Sequence, residues 1–499
     1  MQYSSKEGQG AFIASRFQNV APSGELAPAS PADPLDVPGR FPWSLHACDS
    51  ALTAATEAKR AWARTKVEDR IPMLLRYQEA LKKRKTELII AIARSIGKPV
   101  WEATTEVDAM IAKVDITVGP GRSLLTFESD PGTSIRLRPI GVCVVLGPFN
   151  FPGHLANGHI VPALLLGNTV VYKPSEKAPE VGELMAEAFG DAGFPPGVFN
   201  MVQGGAEVAE RLVQDPRVDG IMFTGSTHVG KKILASSAVF PGRMIALELG
   251  GRNAAIVTPS ANIVHAVREI AFAAYVTAGQ RCTANSRVLV HEDCVDKFVA
   301  LLAETARHTK VGKPSDGDNF LGPVIEERTI ARIDGLVKEG EGEFEAIVPV
   351  RRLKLPGNFI SPAVYRASVA RPSSSLARDE LFAPVVTVET YREEDDAIAR
   401  TNDSEYGLAA AVFTSQRSQF DHFAGELDVG ICNWNRSTVG SSSKLPFGGR
   451  KNSGNHRPAG LFSSFYCTDV AAEIHVAEIP AEAKLSPGLY VGGFGISRS

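Results

Sequence analysis

The chain has 499 residues, 44% apolar and 22% charged, with a formal net charge of −3. That length exceeds one ordinary hydrophobic core and implies two or three domains. The near-balanced charge argues against a nucleic-acid or membrane-surface role, and no apolar run is long enough to cross a bilayer.

The opening stretch, MQYSSKEGQGAFIASR, lacks the apolar core of a secretory leader. The first forty residues, rich in Pro, Ser, Ala and Gly, read as an extended arm. From Asp49 to about Ile116 the pattern is helical, with Gly97 and Pro99 as a stop signal in AIARSIGKP. SIRLRPIGVCVVLGP alternates and then becomes continuously apolar, which predicts a hairpin-like strand pair.

Between Asn150 and Gly251 strands and helices alternate. HIVPALLLG, VGELMAEAFGDAG and STHVGKKILASSA read as helices, and NTVVYKP, VFNMVQGG, VDGIMFTG and RMIALELGG as strands. Such alternation predicts a parallel sheet with helices on its faces. A second alternating block runs from NAAIV to about Trp434, in which the helix NIVHAVREIAFAAYVTAG leads into Cys282. The tail after Leu461 alternates weakly and reads as an edge strand.

Six cysteines in a chain of this length, with no CxxC pair, do not form a disulfide framework; a reducing cytoplasm is the expected compartment. Cys143 lies in an apolar run and reads as an inert core residue. No metal site is expected.

Three stretches carry candidate chemistry. In IMFTGSTHVGKKI a strand ends at Thr224 and a helix begins near Ser226, bracketed by Gly225 and Gly230. This is either a plain helix start or a phosphate site made by free N–H groups and the helix dipole. It is not the G-x-G-x-x-G fingerprint. In VVYKPSEKAP, Lys173 and Glu176 stand at a strand's C-terminal end, where ligands bind in open α/β sheets. They read as a grip on ribose hydroxyls or as a solvated turn. In ALELGG, Glu248 sits in an apolar strand. Burial raises a carboxyl's pKa, which suits a general base; the alternative is a structural carboxylate bonded to backbone N–H groups.

PFNFP, GNTVVYKPSE, FTGS, LELGG, GQRC, ELFAP, NDSEYGLAA and LPFGG occur in that order, and from about Arg60 to Phe465 the chain resembles the aldehyde dehydrogenase superfamily. The 34 residues from Glu248 to Cys282 (282 − 248) match the family's usual interval. FNFPGHLANGHIVPALLLGNTVVYKPSE and SGNHRP are similar to the branch that oxidises a succinylated glutamate semialdehyde in arginine catabolism.

The resemblance implies a Rossmann-type cofactor domain (1–126 and 148–250), an α/β catalytic domain (251–440) and a small β oligomerisation element (127–147 and 465–490). It implies Cys282 as nucleophile, Asn150 and the Cys282 N–H as oxyanion donors, and Glu248 as the base that activates water for thioester hydrolysis rather than transfer to coenzyme A. NAD is the implied cofactor. Gly225, Ser226, Thr227, His228, Val229 and Gly230 would lie beside its pyrophosphate, Lys173 and Glu176 at the adenosine ribose, and Glu380 and Phe382 at the nicotinamide end.

From Arg436 to Cys467 there is no Asp or Glu, while Arg436, Lys444, Arg450, Lys451, His456 and Arg457 are all present. Composition reads this as a solvated basic loop or a subunit contact. The resemblance instead implies that Arg457, with Arg281, grips a substrate carboxylate, with Asn157 and His159 near the entrance. Arg450 and Lys451 after PFGG depart from the small residue usual in the family. The expected partner is an anionic aldehyde, and the expected assembly a homodimer or a dimer of dimers. Rival readings are another aldehyde dehydrogenase, for glutamate semialdehyde or a simple aliphatic aldehyde, and a non-catalytic binding homologue.

Overall fold

The computed structural model describes residues 5–127, 130–476 and 486–489. Four helices form the first layer: Leu45–Arg64, Val67–Lys83, Lys85–Ile96 and Val100–Ile116. The first packs on a seven-stranded sheet, and the other three pack on helices His154–Leu165 and Pro179–Ala192, which cover it; the sheet's five parallel strands are Met244–Glu248, Gly220–Thr224, Val142–Leu146, Thr169–Lys173 and Phe199–Met201, in that spatial order. Each of the middle three, GIMFT, VCVVL and TVVYK, is buried along its whole length, as a parallel sheet covered on both faces requires.

Of the five parallel strands, the first in the chain, Val142–Leu146, is the central one. Later strands are laid down first on one side of it and then on the other. Ligand crevices open outside the carboxyl ends of strands at such a reversal. Asn150, Lys173, Gly225 and Glu248 all stand at those ends. Register fixes them together: Leu146 pairs with Lys173 and Thr224 with Glu248.

A second seven-stranded sheet is built from Phe344–Val348, Ala363–Ala367, Val385–Tyr391, Asn285–His291, Asn253–Val257, Ala409–Phe413 and Ile431–Trp434, parallel except for the first. Helices Ile263–Tyr275 and Val295–His308 pack on it through apolar stripes. Among the described residues no helix is long and apolar enough to cross a membrane.

Two expectations are corrected. SIRLRPIGVCVVLGP does not form a hairpin. Thr133–Pro139 pairs antiparallel with Thr468–Ile474 in a separate two-stranded ribbon, whereas Val142–Leu146 belongs to the first sheet. Composition misled because both segments have strand character and only long-range pairing separates them. The first forty residues are not a simple extended arm either. Ala11–Ile13 and Arg16–Gln18 extend the edge of the first sheet, and Lys6–Glu7, Gly24–Leu26 and Gly39–Trp43 form a small sheet of their own. Buried Phe12, Ile13 and Phe41 anchor them. Of the element expected at 127–147 and 465–490, residues 128–129, 477–485 and 490 lie outside the described residues.

Candidate active site

The helix Ile263–Tyr275 gives way to a single tight turn, Val276–Gly279, in which Thr277, Ala278 and Gly279 have φ of 57°, 51° and 69°. Three successive left-handed residues are costly for L side chains, so the neighbours must hold them. Glu102 supplies that hold: its carboxylate accepts from the Thr277 N–H at 3.1 Å and from the Thr277 hydroxyl. Gly279 packs so closely on the Ala383 carbonyl that a Cβ would fall 2.2 Å from it. The turn delivers Gln280, Arg281 and Cys282 to the floor of a cleft between the two sheets.

Cys282 is part-exposed and lines this cleft, of about 240 Å³, together with Glu248, Phe151, His154, Lys113 and Ser442. Its carbonyl accepts from Asn253 Nδ2 at 2.7 Å, which fixes the backbone on the side away from the thiol. Among the described residues no backbone carbonyl accepts the Cys282 N–H. Burial first, then the Glu248 and Glu380 carboxylates, push the thiol up to about 12. The resting thiol is therefore protonated, and its proton must be removed as it reacts. The other cysteines lie apart: Cys48, Cys143 and Cys467 are buried, and burial raises all three thiols.

Glu248 ends its strand at 4% exposure. Oε1 accepts from the Ala459 N–H at 3.3 Å, while Oε2 is sealed from solvent and has no partner. Burial raises the carboxyl well above its ordinary range. A buried carboxylate oxygen without a donor is costly unless something else occupies it, such as a water molecule awaiting deprotonation.

Asn150 is buried and donates one amide N–H to the Gln280 carbonyl at 2.9 Å. Its other N–H has no partner among the described residues. Gln280 is itself locked, donating to Thr277 O and accepting from the Ile325 N–H. Asn150 is thus tied directly to the residue two before the nucleophile.

The expected cofactor residues cluster along the strand ends. Helix Thr227–Ser237 begins at Ser226, whose hydroxyl accepts from the Val229 N–H at 3.3 Å. Ser226, His228 and Val229 are exposed, so the helix start opens to solvent as anion binding requires. Thr227 is half-buried, its hydroxyl 3.4 Å from the Asn452 carbonyl. Gly225 is held in the sheet by its N–H to Glu248 O. Gly230 is corrected: it is buried, and a Cβ there would meet Leu249 at 2.6 Å, so it seats the helix on the sheet rather than facing a ligand.

Lys173 Nζ is buried and bonded to Pro174 O and Gly204 O, with the half-exposed Glu176 carboxylate 3.9 Å away. Glu380 accepts from the Gly251 N–H at 3.0 Å, and burial raises its carboxyl to about 7. Phe382, at φ 49°, stacks edge-on to Phe149 at 5.9 Å. An open helix start, a half-exposed carboxylate at a strand end and a second carboxylate beside the Cys282 cleft form a donor and acceptor set that fits a dinucleotide.

The expected substrate residues fare differently. Asn157 is fully buried: it accepts from Tyr77 and donates to Met110 O, and so belongs to the packing of a core rather than to an entrance. His159 does line the cleft, but deep within it, at 3% exposure. It bonds Tyr466 OH at 2.6 Å and lies 3.4 Å from Thr224 Oγ1; burial, then Lys113, lower its pKa to about 3 and keep it neutral. Arg281 also lines the cleft, yet its guanidinium is paired with Glu102 at 2.9 Å, bonds Thr277 Oγ1, and lies over the Phe151 ring at 4.8 Å.

Arg457 is exposed and is not among the residues lining the Cys282 cleft; it lines two surface hollows, one of which shares Glu248 with that cleft. SGNHRP acts here as a strap. Leu249 N–H bonds Ser453 O, Ser453 Oγ bonds Gly250 O, and Asn455 takes both a donor and an acceptor role with Leu247 and Ile245. Motif resemblance could not separate a strap from a ligand grip, because both demand polar residues at fixed positions.

Sequence reasoning missed Glu102, Glu106 and Lys113. They recur at i, i+4 and i+11 on helix Val100–Ile116, one face of a 3.6-residue period, and all three are buried. That polar stripe was the available signal.

The chain matches the aldehyde dehydrogenase family over residues 43–471. It is 39% identical to the N-succinylglutamate 5-semialdehyde dehydrogenase of Serratia proteamaculans, over 93% of this chain and 96% of that one. It is 38% identical to that of Chromobacterium violaceum, over 94% and 98%. Among solved structures it superposes on a 1-pyrroline-5-carboxylate dehydrogenase from Thermus with bound NAD (TM-score 0.88, 28% identity, 94% and 92% covered). It also superposes on an NAD-dependent aldehyde dehydrogenase from Sinorhizobium meliloti (TM-score 0.90, 28% identity, 96% of each chain). A nucleophile turn and an unpartnered glutamate meeting in one cleft, on this fold and with this likeness along nearly the whole chain, have one meaning: the protein belongs to the aldehyde dehydrogenase family.

Proposed function

We propose that the protein oxidises N-succinyl-L-glutamate 5-semialdehyde to N-succinyl-L-glutamate with NAD. The observation that carries the chemistry is the opening of Cys282 and Glu248 into one cleft, with Glu248 Oε2 unpartnered. The curated relatives named above carry the substrate.

Cys282 gives up its proton to solvent water, and its sulfur bonds to the aldehyde carbon as the C=O π pair moves onto oxygen. The carbonyl oxygen takes the negative charge, in reach of the Cys282 N–H and the free N–H of Asn150. Losing one such donor raises the barrier by about 3–4 kcal/mol. Bound NAD supplies the hydride acceptor, and the carbon is left as a thioester on Cys282. Glu248 then takes a proton from water, whose oxygen bonds to the carbonyl carbon as the C–S bond breaks, releasing the acid. The helix start at Gly225–Val229, with Lys173, Glu176, Glu380 and Phe382, holds the cofactor.

The ribbon of Thr133–Pro139 and Thr468–Ile474 supports assembly into a homodimer or dimer of dimers. Its edges are open, and Ile135, Val470 and Ile474 are exposed on it. Six unpaired cysteines suit a cytoplasmic setting. NADH formation across a panel of semialdehydes and aliphatic aldehydes tests the reading. The highest kcat/KM should fall on the succinylated semialdehyde, and a preference for hexanal would remove the substrate assignment.

A further inference from the structure

Around the Cys282 cleft stand three cations, Arg281, Lys98 and Lys113, of which Arg281 and Lys113 line it; besides Glu248 there are two carboxylates, Glu102 and Glu106, and both are already used. Glu102 is taken by Arg281 and Thr277. Glu106 is taken by Lys98 at 2.6 Å and by the N–H groups of Gly153 and His154. Lys113, the third cation, has no carboxylate partner among the described residues. The residue is 2% exposed, and among the described residues its ammonium makes one hydrogen bond, to the Gly460 carbonyl at 2.7 Å, which also accepts from Ser463 Oγ.

A lysine ammonium carries three donors, so two are left over in a place water scarcely reaches. A desolvated charge in that state calls for an anion. Beside it in the same cleft, His154 has an Nδ1 that is sealed from solvent and unpartnered. Burial and then the charges of Lys113, Lys98 and Arg281 hold that ring neutral, with its pKa lowered to about 4, so it offers a donor without adding a cation.

We propose that Lys113, with His154 as second donor, binds a carboxylate of the substrate and makes the enzyme selective for anionic aldehydes. The assignment rests on the proposed reading of an acidic semialdehyde, and it moves the carboxylate grip from Arg457 on the surface to a helix inside the cleft. Burial also pulls the Lys113 ammonium down to about 8, while Cys467 opposes that shift. A bound carboxylate reverses it by stabilising the charged form.

The test uses full-length Lys113→Met and Lys113→Arg, checked for folding by thermal melting. Its first readout is kcat/KM for succinylglutamate semialdehyde and for hexanal; its second is inhibition of hexanal oxidation by glutarate. Lys113→Met should lose roughly 30- to 150-fold on the semialdehyde, at least tenfold more than on hexanal, and should lose glutarate inhibition to a similar degree. Lys113→Arg should retain most of both. Equal losses on the two aldehydes, or glutarate inhibition unchanged in Lys113→Met, would overturn the assignment. The glutarate arm decides about Lys113 even if the unmodified enzyme prefers hexanal, an outcome that removes only the substrate reading.

Should Lys113→Met not fold, the pH dependence of glutarate inhibition decides. Inhibition should weaken above about pH 8 in the unmodified enzyme and hold to higher pH in Lys113→Arg. The facing groups are Glu106 on the same helix, His154 and His159 on the next, Arg281, Glu248 and Cys467. Only a loss that follows the lysine moves on its change to arginine; identical profiles would overturn the proposal.

Discussion

Ala459 N–H reaches Glu248 Oε1 at 3.3 Å, and nothing reaches Oε2. The carboxylate is thus held at one oxygen by the loop that returns after the second sheet, while the other is buried and without a partner among the described residues. Gly454 pairs with Glu248 as an antiparallel bridge, so the same loop fixes the backbone as well. Glu248→Gln should keep this geometry and remove the base. Rapid mixing should then show one NADH per site followed by a slow steady phase; a wild-type steady rate would exclude an essential base at this position.

Cys282→Ala should abolish aldehyde oxidation and leave NAD binding intact, as read by fluorescence titration. Cys294, 46 residues after Glu248 (294 − 248) and lying against His291 and Thr258 carbonyls, is the control: its replacement by Ala should change the rate little. Residual activity above a few per cent in Cys282→Ala would reassign the nucleophile.

The acidity of Cys282 has a checkable sign. Burial, Glu248 and Glu380 all favour the neutral thiol. Alkylation by iodoacetamide should therefore rise with pH well beyond the range of a free cysteine. Glu248→Gln removes one opposing negative charge, so its alkylation profile should move to lower pH. A shift to higher pH, or none, would contradict the electrostatic coupling.

Glu102 holds the strained turn before the nucleophile and pairs with Arg281, which is 13% exposed. Glu102→Ala leaves a buried guanidinium and the Thr277 N–H without their acceptor. Breaking such a pair costs about 3–5 kcal/mol. Denaturant unfolding should show that loss, with catalysis falling in parallel as the turn relaxes.

Cofactor choice should follow Glu176: a half-exposed carboxylate at this strand end would accept from a ribose 2′-OH and repel a 2′-phosphate. NAD should exceed NADP in kcat/KM, and Glu176→Ser should narrow the gap. Equal use of both by the unmodified enzyme would contradict the role. Arg457→Ala, on an exposed loop, should affect charged and uncharged aldehydes alike.

The alternation from Asn150 to Trp434, the burial of VCVVL and TVVYK, the helix start at Ser226 and the reactive stretch around Cys282 were legible because each is a local pattern of period, cap or motif. The sequence by itself thereby determined the run of strands and helices in the two main sheets, and carried the expectation that Cys282 and Glu248 do the chemistry. What it could not determine is which groups meet across hundreds of residues. Thr133–Pro139 leaves its neighbour strand to pair with Thr468–Ile474, because strand pairing is decided by the partner's edge and not by chain proximity. Arg281 and Arg457 look equally able to bind an anion in the sequence. Only the tertiary structure gives one a buried carboxylate, leaves the other in solvent, and places Lys113 desolvated between them in importance, since a charge's meaning depends on the partners and the water around it.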